Sequence, residues 1–373
     1  MIGNLIIRVD ASTQMGTGHL MRCLALAQAW KDTGGKVTFI TACQSSDLLQ
    51  RPREEDFELH VLSHPYPDAG DWEHTKNILA AHPSAWVVLD GYHFDEAYQQ
   101  AVKETGHRLL VIDDMAHLKH YYADIVLNQN LHAEQVHYSC EPYARLLLGT
   151  HYVLLRREFL AWKNWKRKIP KIARWVLVTL GGGDPENHTL KVIQALQKVD
   201  MPGLEAIVVV GASNPHVDVL ESAISQSQIP IRLICNAGNM PELMAWADMA
   251  ISTAGSTVWE LMFVGLPALL IVAADNQEPI ARSMVDAGTA ILMGCRLADR
   301  TRMFSEEVSQ SVSNVNRQSK LSELSSKESL VKIIKSLAKD NALRLEMSKK
   351  GKKLVDGKGL SRIMAAILQE VLV

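Results

Sequence analysis

His19 and Arg22 stand one helical turn apart at the end of a glycine-containing loop, an imidazole and a guanidinium on one helix face. The stretch LIIRVDASTQMGTGHLMRCLALAQAW over residues 5–30 opens as an apolar run, turns polar at Asp10, carries Gly16 and Gly18, and continues in Leu, Met and Ala. The pattern is strand, glycine loop, helix. Glycines there let the backbone take φ > 0 and leave room for a ligand, and the helix start offers free N–H groups and a positive dipole end. Histidine titrates near neutrality, so His19 is suited to moving a proton beside whatever the loop holds. A helix-capping or solvated histidine is the alternative reading.

Two well-known phosphate-binding patterns are excluded by inspection. The dinucleotide fingerprint needs a third glycine where Met21 stands, and an acidic residue ending the next strand, which Thr38 to Cys43 lacks. A P-loop needs Gly-Lys-Ser/Thr, and the chain contains none.

Further polar residues follow apolar runs in a regular way: Asp10, Asp90-Gly91-Tyr92-His93, Asp113-Asp114, and Asn128-Gln129-Asn130. Any one acid there is accounted for by capping a helix or turn. Four such ends together favour a site, because ligands of open parallel sheets bind beyond the carboxyl ends of strands. Arg22, Asp10, Asp90 and Asp114 are expected either to contact the ligand or to set the His19 tautomer, with no ranking among them.

The first pattern restarts after the middle of the chain. Trp175 to Leu180 reads as a strand, Gly181-Gly182-Gly183-Asp184 as a glycine loop and His188 to Val199 as a helix. Later, Ser252 to Thr257, with Gly255, Ser256 and Thr257 at its end, precedes the apolar helix Val258 to Val264. Hydroxyls and helix N–H groups there can hold a diphosphate, although a Ser/Thr cap is also common in any helix. Glu260, one turn on, is placed to accept hydrogen bonds from ribose hydroxyls, and the following strand delivers Asp275, Asn276, Gln277 and Glu278 to the same crevice.

The elements that must position these residues are apolar strands alternating with helices, which specifies parallel sheets covered on both faces. Strands are expected near Leu5 to Val9, Lys36 to Thr41, Glu58 to Leu62, Trp86 to Leu89, Arg108 to Ile112, Ile125 to Leu127 and Arg145 to Leu148. In the second half they are expected near Trp175 to Leu180, Ala206 to Val210, Ile231 to Cys235, Met249 to Ser252 and Ala268 to Ala273. With 373 residues, 47% apolar and 21% charged, the chain is long enough for two domains. The expected division is an N-terminal Rossmann-like domain over 1–155, a basic linker helix over 156–174, and a C-terminal Rossmann-like domain over 175–373. The Ser- and charge-rich segment 299–328 reads as an insertion or flexible loop.

A formal charge of −2 gives no bulk electrostatic reason to bind nucleic acid or an anionic membrane, and the short basic stretch Arg156 to Arg174 reads as a solvated face. Five scattered cysteines without a Cys-x-x-Cys pair suggest neither a disulfide frame nor a zinc site, and read as reduced, mostly buried thiols in a cytoplasm. The first apolar run, broken by Arg8 and Asp10, is a core strand and no signal peptide. No run approaches the ~18 residues of a spanning helix.

These motifs resemble the GT-B-fold family that contains the peptidoglycan UDP-N-acetylglucosaminyltransferase, and within it the UDP-diacetamido-trideoxyhexose hydrolases of pseudaminic acid synthesis. The resemblance covers nearly the whole chain: RVDAST-x-x-G-x-GH-x-x-RC at 8–23, LDGY at 89–92, IDDMA at 112–116, LGGGD at 180–184, SNP at 213–215, AGST-x-x-E at 254–260 and NQE at 276–278. It implies two Rossmann-like domains facing a cleft, UDP in the C-terminal half, Glu260 and Asn276 as nucleotide or substrate ligands with Asn214 nearby, and His19 as base. Gly182, Gly183, Gly255, Tyr92 and Gln277 fall in the same motifs.

The expected reaction is hydrolysis of a UDP-linked 2,4-diacetamido-2,4,6-trideoxyhexose with inversion at the anomeric carbon, His19 activating water. UDP is a weakly basic leaving group, so one base suffices. The second reading is transfer of the UDP-activated amino sugar to an acceptor, and the third a non-catalytic nucleotide-sugar-binding protein. No metal or cofactor is expected, since the chain has no Asp-x-Asp pair. A monomer with a UDP-sugar as its partner is expected, without nucleic acid or stable membrane association.

Overall fold

The computed structural model describes residues 3–12, 16–211, 214–293 and 327–369. The first half contains β1 (Asn4–Val9), α1 (Gly18–Asp32), β2 (Lys36–Thr41), α2 (Gln50–Glu54), β3 (Glu58–Val61), α3 (Ala69–Ala81), β4 (Trp86–Asp90), α4 (Glu96–Glu104), β5 (Arg108–Ile112), β6 (Ile125–Asn128) and β7 (Arg145–Leu148). A short helix, α5 (Arg157–Leu160), leads to the second half. There follow β8 (Trp175–Thr179), α6 (His188–Leu196), β9 (Glu205–Val210), α7 (Val217–Ser225), β10 (Ile231–Cys235), α8 (Met240–Trp246), β11 (Met249–Thr253), α9 (Thr257–Val264), β12 (Ala268–Ile271), α10 (Glu278–Asp286) and β13 (Ala290–Leu292). Three helices end the described chain: α11 (Lys327–Lys339), α12 (Asn341–Leu354) and α13 (Gly359–Gln369).

The strands form two parallel sheets, ordered β3-β2-β1-β4-β5-β6-β7 and β10-β9-β8-β11-β12-β13. In both sheets the order reverses beside the first strand, the place where an open α/β sheet splits its helices to two faces and opens a crevice. Alternation along each strand feeds two cores. Leu5, Ile7 and Val9 of β1 enter the core under α1 and Ile6 enters the opposite one, while Leu177 of β8 is separated in the same way from Val176 and Val178. This is the GT-B architecture, two Rossmann-like parallel-sheet domains flanking a cleft.

Several local expectations are corrected. The strand β13 has only three residues at a sheet edge, too short for an apolar pattern to register. The basic segment after 155 holds helix only over Arg157–Leu160; beyond it the chain is turn and irregular backbone up to β8. The tail does not stay with the second half, because Leu360, Ile363, Met364, Ala366 and Ile367 of α13 are buried in the core beneath α1. Apolar spacing made α13 amphipathic, but which apolar face it would cover is a tertiary matter. Of the described cysteines, Cys23 and Cys43 are buried, Cys140 is partly so and Cys235 is exposed. The proposed insertion at 299–328 lies outside the described residues except for Lys327 and Glu328, which start α11. Among the described residues, no helix is long and apolar enough to cross a membrane.

Candidate functional site

A cleft of about 400 Å³ lies between the two sheets. From the first half it is lined by Gly16, Gly18, His19, Arg22, Tyr92 and Asp114, and from the second by Gly182, Gly183, Gly255, Ser256, Thr257, Asn276 and Gln277. The halves touch closely at the glycines. A Cβ at Gly182 would sit 2.8 Å from Thr17 Cγ2, and one at Gly18 would sit 3.3 Å from Ser256 Oγ. The glycine types therefore serve the approach of one half to the other.

Parallel pairing of β1 with β4 sets Val9 beside Asp90, which puts the Asp90 carboxylate under the first turn of α1. There Asp90 Oδ1 lies 2.6 Å from His19 Nδ1, and Arg22 donates to both Asp90 oxygens at 2.6 Å from Nε and Nη2. A carboxylate at that distance accepts a hydrogen bond from Nδ1–H, so the tautomer it selects leaves Nε2 as the nitrogen with the free lone pair. The Arg22 Nη2 contact to Nδ1 at 3.1 Å is then proximity and not a second hydrogen bond, since both atoms are donors. Burial by itself would raise the Asp90 pKa; the charges and hydrogen bonds of Arg22 and His19 outweigh it and hold the carboxyl below its ordinary value.

Arg22 also reaches outward. Its Nη1 donates to Asp114 Oδ2 at 2.6 Å, and the Tyr92 hydroxyl donates to the same oxygen at 2.9 Å. The Tyr92 ring stands edge-on to His19, with centroids 5.1 Å apart. Burial, and next Asp114, push the Tyr92 hydroxyl up, so it stays protonated. The neighbouring Asp113 points the other way, accepting from the backbone N–H groups of Met115 and Ala116 and from the Tyr121 hydroxyl. Asp113 closes the turn after β5 with its own side chain, so of the two adjacent acids only Asp114 meets the cleft.

On the facing side, helix starts differ in whether they are free. The start of α6 is filled by its own chain: Asp184 accepts from His188 and Thr189 N–H, and Asn187 from Leu190 N–H. The starts of α1 and α9 carry no side-chain cap. Both open on the cleft, through Gly18 and through Ser256 and Thr257. An anion between them meets two positive dipole ends and two hydroxyls.

Four residues expected in the site are not on its surface. Asp90 is fully buried behind His19. Asp10 turns into the sheet, where Arg8 donates to both of its oxygens at 2.6 and 2.8 Å, Ala42 N–H donates at 2.6 Å, and His93 Nε2 lies 2.9 Å away. Buried Arg8 needs that charge, together with Asp71, to be tolerated in a core strand. Asn214 is buried, accepting from His216 N–H, and is not among the residues that line the cleft. Glu260 lies one turn beyond Thr257 but accepts from Arg156 Nε and Nη2 at 3.1 and 2.9 Å, an ion pair between the connector and α9. Burial raises the Glu260 pKa, and Arg156 opposes that. Sequence spacing placed Glu260 on the right helix; the arginine 104 residues away had no local signal.

The structure adds Thr17, Gln129, Asn130, Trp259 and Ile280 to the lining. Gln129 and Asn130 stand in the polar strand-end run already visible in the sequence, whereas Trp259 and Ile280 read there as ordinary core.

Residues 176–357 match the glycosyltransferase family 28 C-terminal domain. The spore coat polysaccharide biosynthesis protein SpsG of Bacillus subtilis is 25% identical over 98% of this chain and 97% of its own length. The UDP-N-acetylglucosamine–N-acetylmuramyl-(pentapeptide) pyrophosphoryl-undecaprenol N-acetylglucosamine transferase of Carboxydothermus hydrogenoformans is 26% identical over 74% of this chain and 81% of its own. The UDP-2,4-diacetamido-2,4,6-trideoxy-beta-L-altropyranose hydrolase of Campylobacter jejuni is 26% identical over 76% and 97%. The protein MJ1062 of Methanocaldococcus jannaschii, 28% identical over 74% of this chain, is longer, and the chain spans 56% of it. Among solved structures, MurG of Acinetobacter baumannii superposes with a TM-score of 0.62 at 14% identity over 98% of this chain and 99% of that one.

These findings correct the expected reaction. N-acetylglucosamine transferases recur among the relatives, so the weight of the comparisons lies with sugar transfer and not with hydrolysis. The physical reason is plain: a histidine base accepts a proton from water or from an alcohol equally well, and the motif around it encodes neither. The chain therefore has the GT-B fold, and over these shares of its length it is similar to the MurG-like enzymes.

Proposed function

We propose that the protein is a GT-B glycosyltransferase that passes a UDP-activated amino sugar to the hydroxyl of an acceptor. What carries transfer is the recurrence of N-acetylglucosamine transferases among the relatives, and the His19–Asp90 pair, with Nε2 free and facing the uncapped start of α9 across one cleft, supplies the base that such a reaction uses. UDP is assigned to the second half, with its diphosphate at Ser256 and Thr257 and with Asn276 and Gln277 beside it. The names of the transferase relatives support UDP-N-acetylglucosamine as a donor of the right class.

In this reaction His19 Nε2 takes the proton of the acceptor hydroxyl as its oxygen attacks the anomeric carbon. The bond from that carbon to the diphosphate oxygen breaks, and its electron pair leaves with UDP. Helix N–H groups and the Ser256 and Thr257 hydroxyls stabilise the departing charge. Attack from the face opposite UDP inverts the anomeric centre. Asp90 and Arg22 hold the ring and the charge balance behind it.

With UDP-N-acetylglucosamine as donor, UDP release should be slow in buffer and rise at least tenfold with a productive hydroxyl acceptor. Release at a rate indifferent to every acceptor would count against transfer. A smaller effect is expected from Ser256→Ala, which removes one neutral hydroxyl from the diphosphate: UDP affinity should fall by about threefold to tenfold, the scale of a single hydrogen bond. Titration calorimetry checks it, and unchanged affinity would move the diphosphate away from α9.

A further inference from the structure

Cys23, the last residue of the motif at 8–23, is fully buried and is not among the residues that line the cleft. It stands four residues after His19 and one after Arg22 on α1, so the three side chains share a helix face. All three converge on Asp90. His19 Nδ1 and Arg22 Nη2 meet Oδ1, and Arg22 Nε meets Oδ2, each at 2.6 Å. Cys23 Sγ donates to Oδ2 at 3.3 Å. A carboxylate offers about four lone-pair sites, and these four donors fill them.

The rest of the thiol's surroundings are apolar, since Cys23 shares its core with Leu20, Leu24 and Ile112. Burial, and next the Asp90 charge, push the Cys23 thiol up, and Arg22 opposes them; it therefore stays an S–H donor and is no nucleophile. A thiol is a weak donor, so it occupies the last site on Oδ2 and keeps water from it while drawing less charge from the carboxylate than a hydroxyl would.

We infer that Cys23 is a positioning residue: its S–H closes the inner oxygen of Asp90 and leaves the charge of that carboxylate directed at the His19 ring. The inference rests on His19 as the base of the proposed transfer and adds what sets the strength of its support. The other titratable and charged groups around the pair are Arg22, Asp114 and Tyr92, with His117 behind Tyr92, and Asp184, Glu186 and His188 across the cleft. Substitution at Cys23 alters none of them.

Two small replacements in the full chain test it. Cys23→Ser puts a stronger donor in the same place, and Cys23→Ala removes the donor. In proton NMR at fixed pH, the His19 Nδ1–H resonance, identified by its absence from His19→Asn, should move upfield in the serine variant and downfield in the alanine variant, as Asp90 gives up or keeps charge. The acid limb of the pH–rate profile for acceptor-stimulated UDP release should also move in opposite directions. With serine the imidazolium is less supported and loses its proton more readily, so the limb moves to lower pH; with alanine it moves to higher pH. Each displacement should be about threefold in proton concentration, part of the worth of one hydrogen bond. A loss of packing alone would not reverse sign between two small side chains. UDP affinity within about twofold of wild type reports a folded cleft. Should the alanine variant not fold, Cys23→Val fills the space without a donor and is expected to move the resonance as alanine does. A resonance unmoved, or moved the same way by both kinds of replacement, overturns the inference. Failure of every acceptor to raise UDP release overturns the proposed transfer instead, and the NMR readout, which needs no acceptor, still decides the role of Cys23.

Discussion

Replacing His19 by asparagine is expected to lower kcat by about 100-fold or more while UDP binds as it does to the wild type. The substitution suits the surroundings: a side-chain NH₂ can replace Nδ1–H as donor to Asp90, so the fixed charge of Asp90 and Arg22 is not disturbed. What disappears is the free nitrogen that takes the acceptor proton. The diphosphate is assigned to the other side of the cleft, so ground-state nucleotide affinity should hold. A variant with near-normal kcat would remove His19 from the mechanism, and a parallel loss of UDP affinity would make it a binding residue.

Asp90→Asn should cost more, with kcat falling by about 1,000-fold and stability by about 3 to 5 kcal/mol. An amide cannot serve Arg22 Nε, Arg22 Nη2 and His19 Nδ1 together as the carboxylate does, and a neutral partner no longer selects the Nδ1–H tautomer. The destabilisation arises because Arg22 remains buried with less compensating charge, Asp114 alone being left to it. The pH dependence follows from the direction of the shift. Asp90 titrates lower in the folded chain than in the unfolded one, so its pairing stabilises the fold fully above about pH 4 and is lost as pH falls through the folded-state value. Urea melts should therefore show wild type losing more stability than Asp90→Asn on acidification below pH 4. Equal slopes for the two proteins would show that Asp90 is not held low by this pairing.

By itself the sequence determined the parallel, two-sheet α/β plan, because strands buried on both faces must be continuously apolar and their interruptions fall at strand ends and glycine loops. It also determined that His19 begins a helix after a glycine loop, and that polar side chains would gather at the carboxyl edge of the first sheet. Only the tertiary structure chose among the acids there. Asp10, Asp90 and Asp114 look alike in the sequence, yet Asp10 is claimed by Arg8 within its own strand, Asp90 is brought under α1 by the register of β4 against β1, and Asp114 is turned to the cleft beside its inward neighbour Asp113. The same holds for Glu260, taken by Arg156, and for α13, which returns to the first core. Periodicity is a property of a few neighbouring residues and survives in the linear chain; a carboxylate's partner is set by strand order, register and charge balance among residues as far as 104 positions away in the case of Glu260, and those exist only once the sheets have formed.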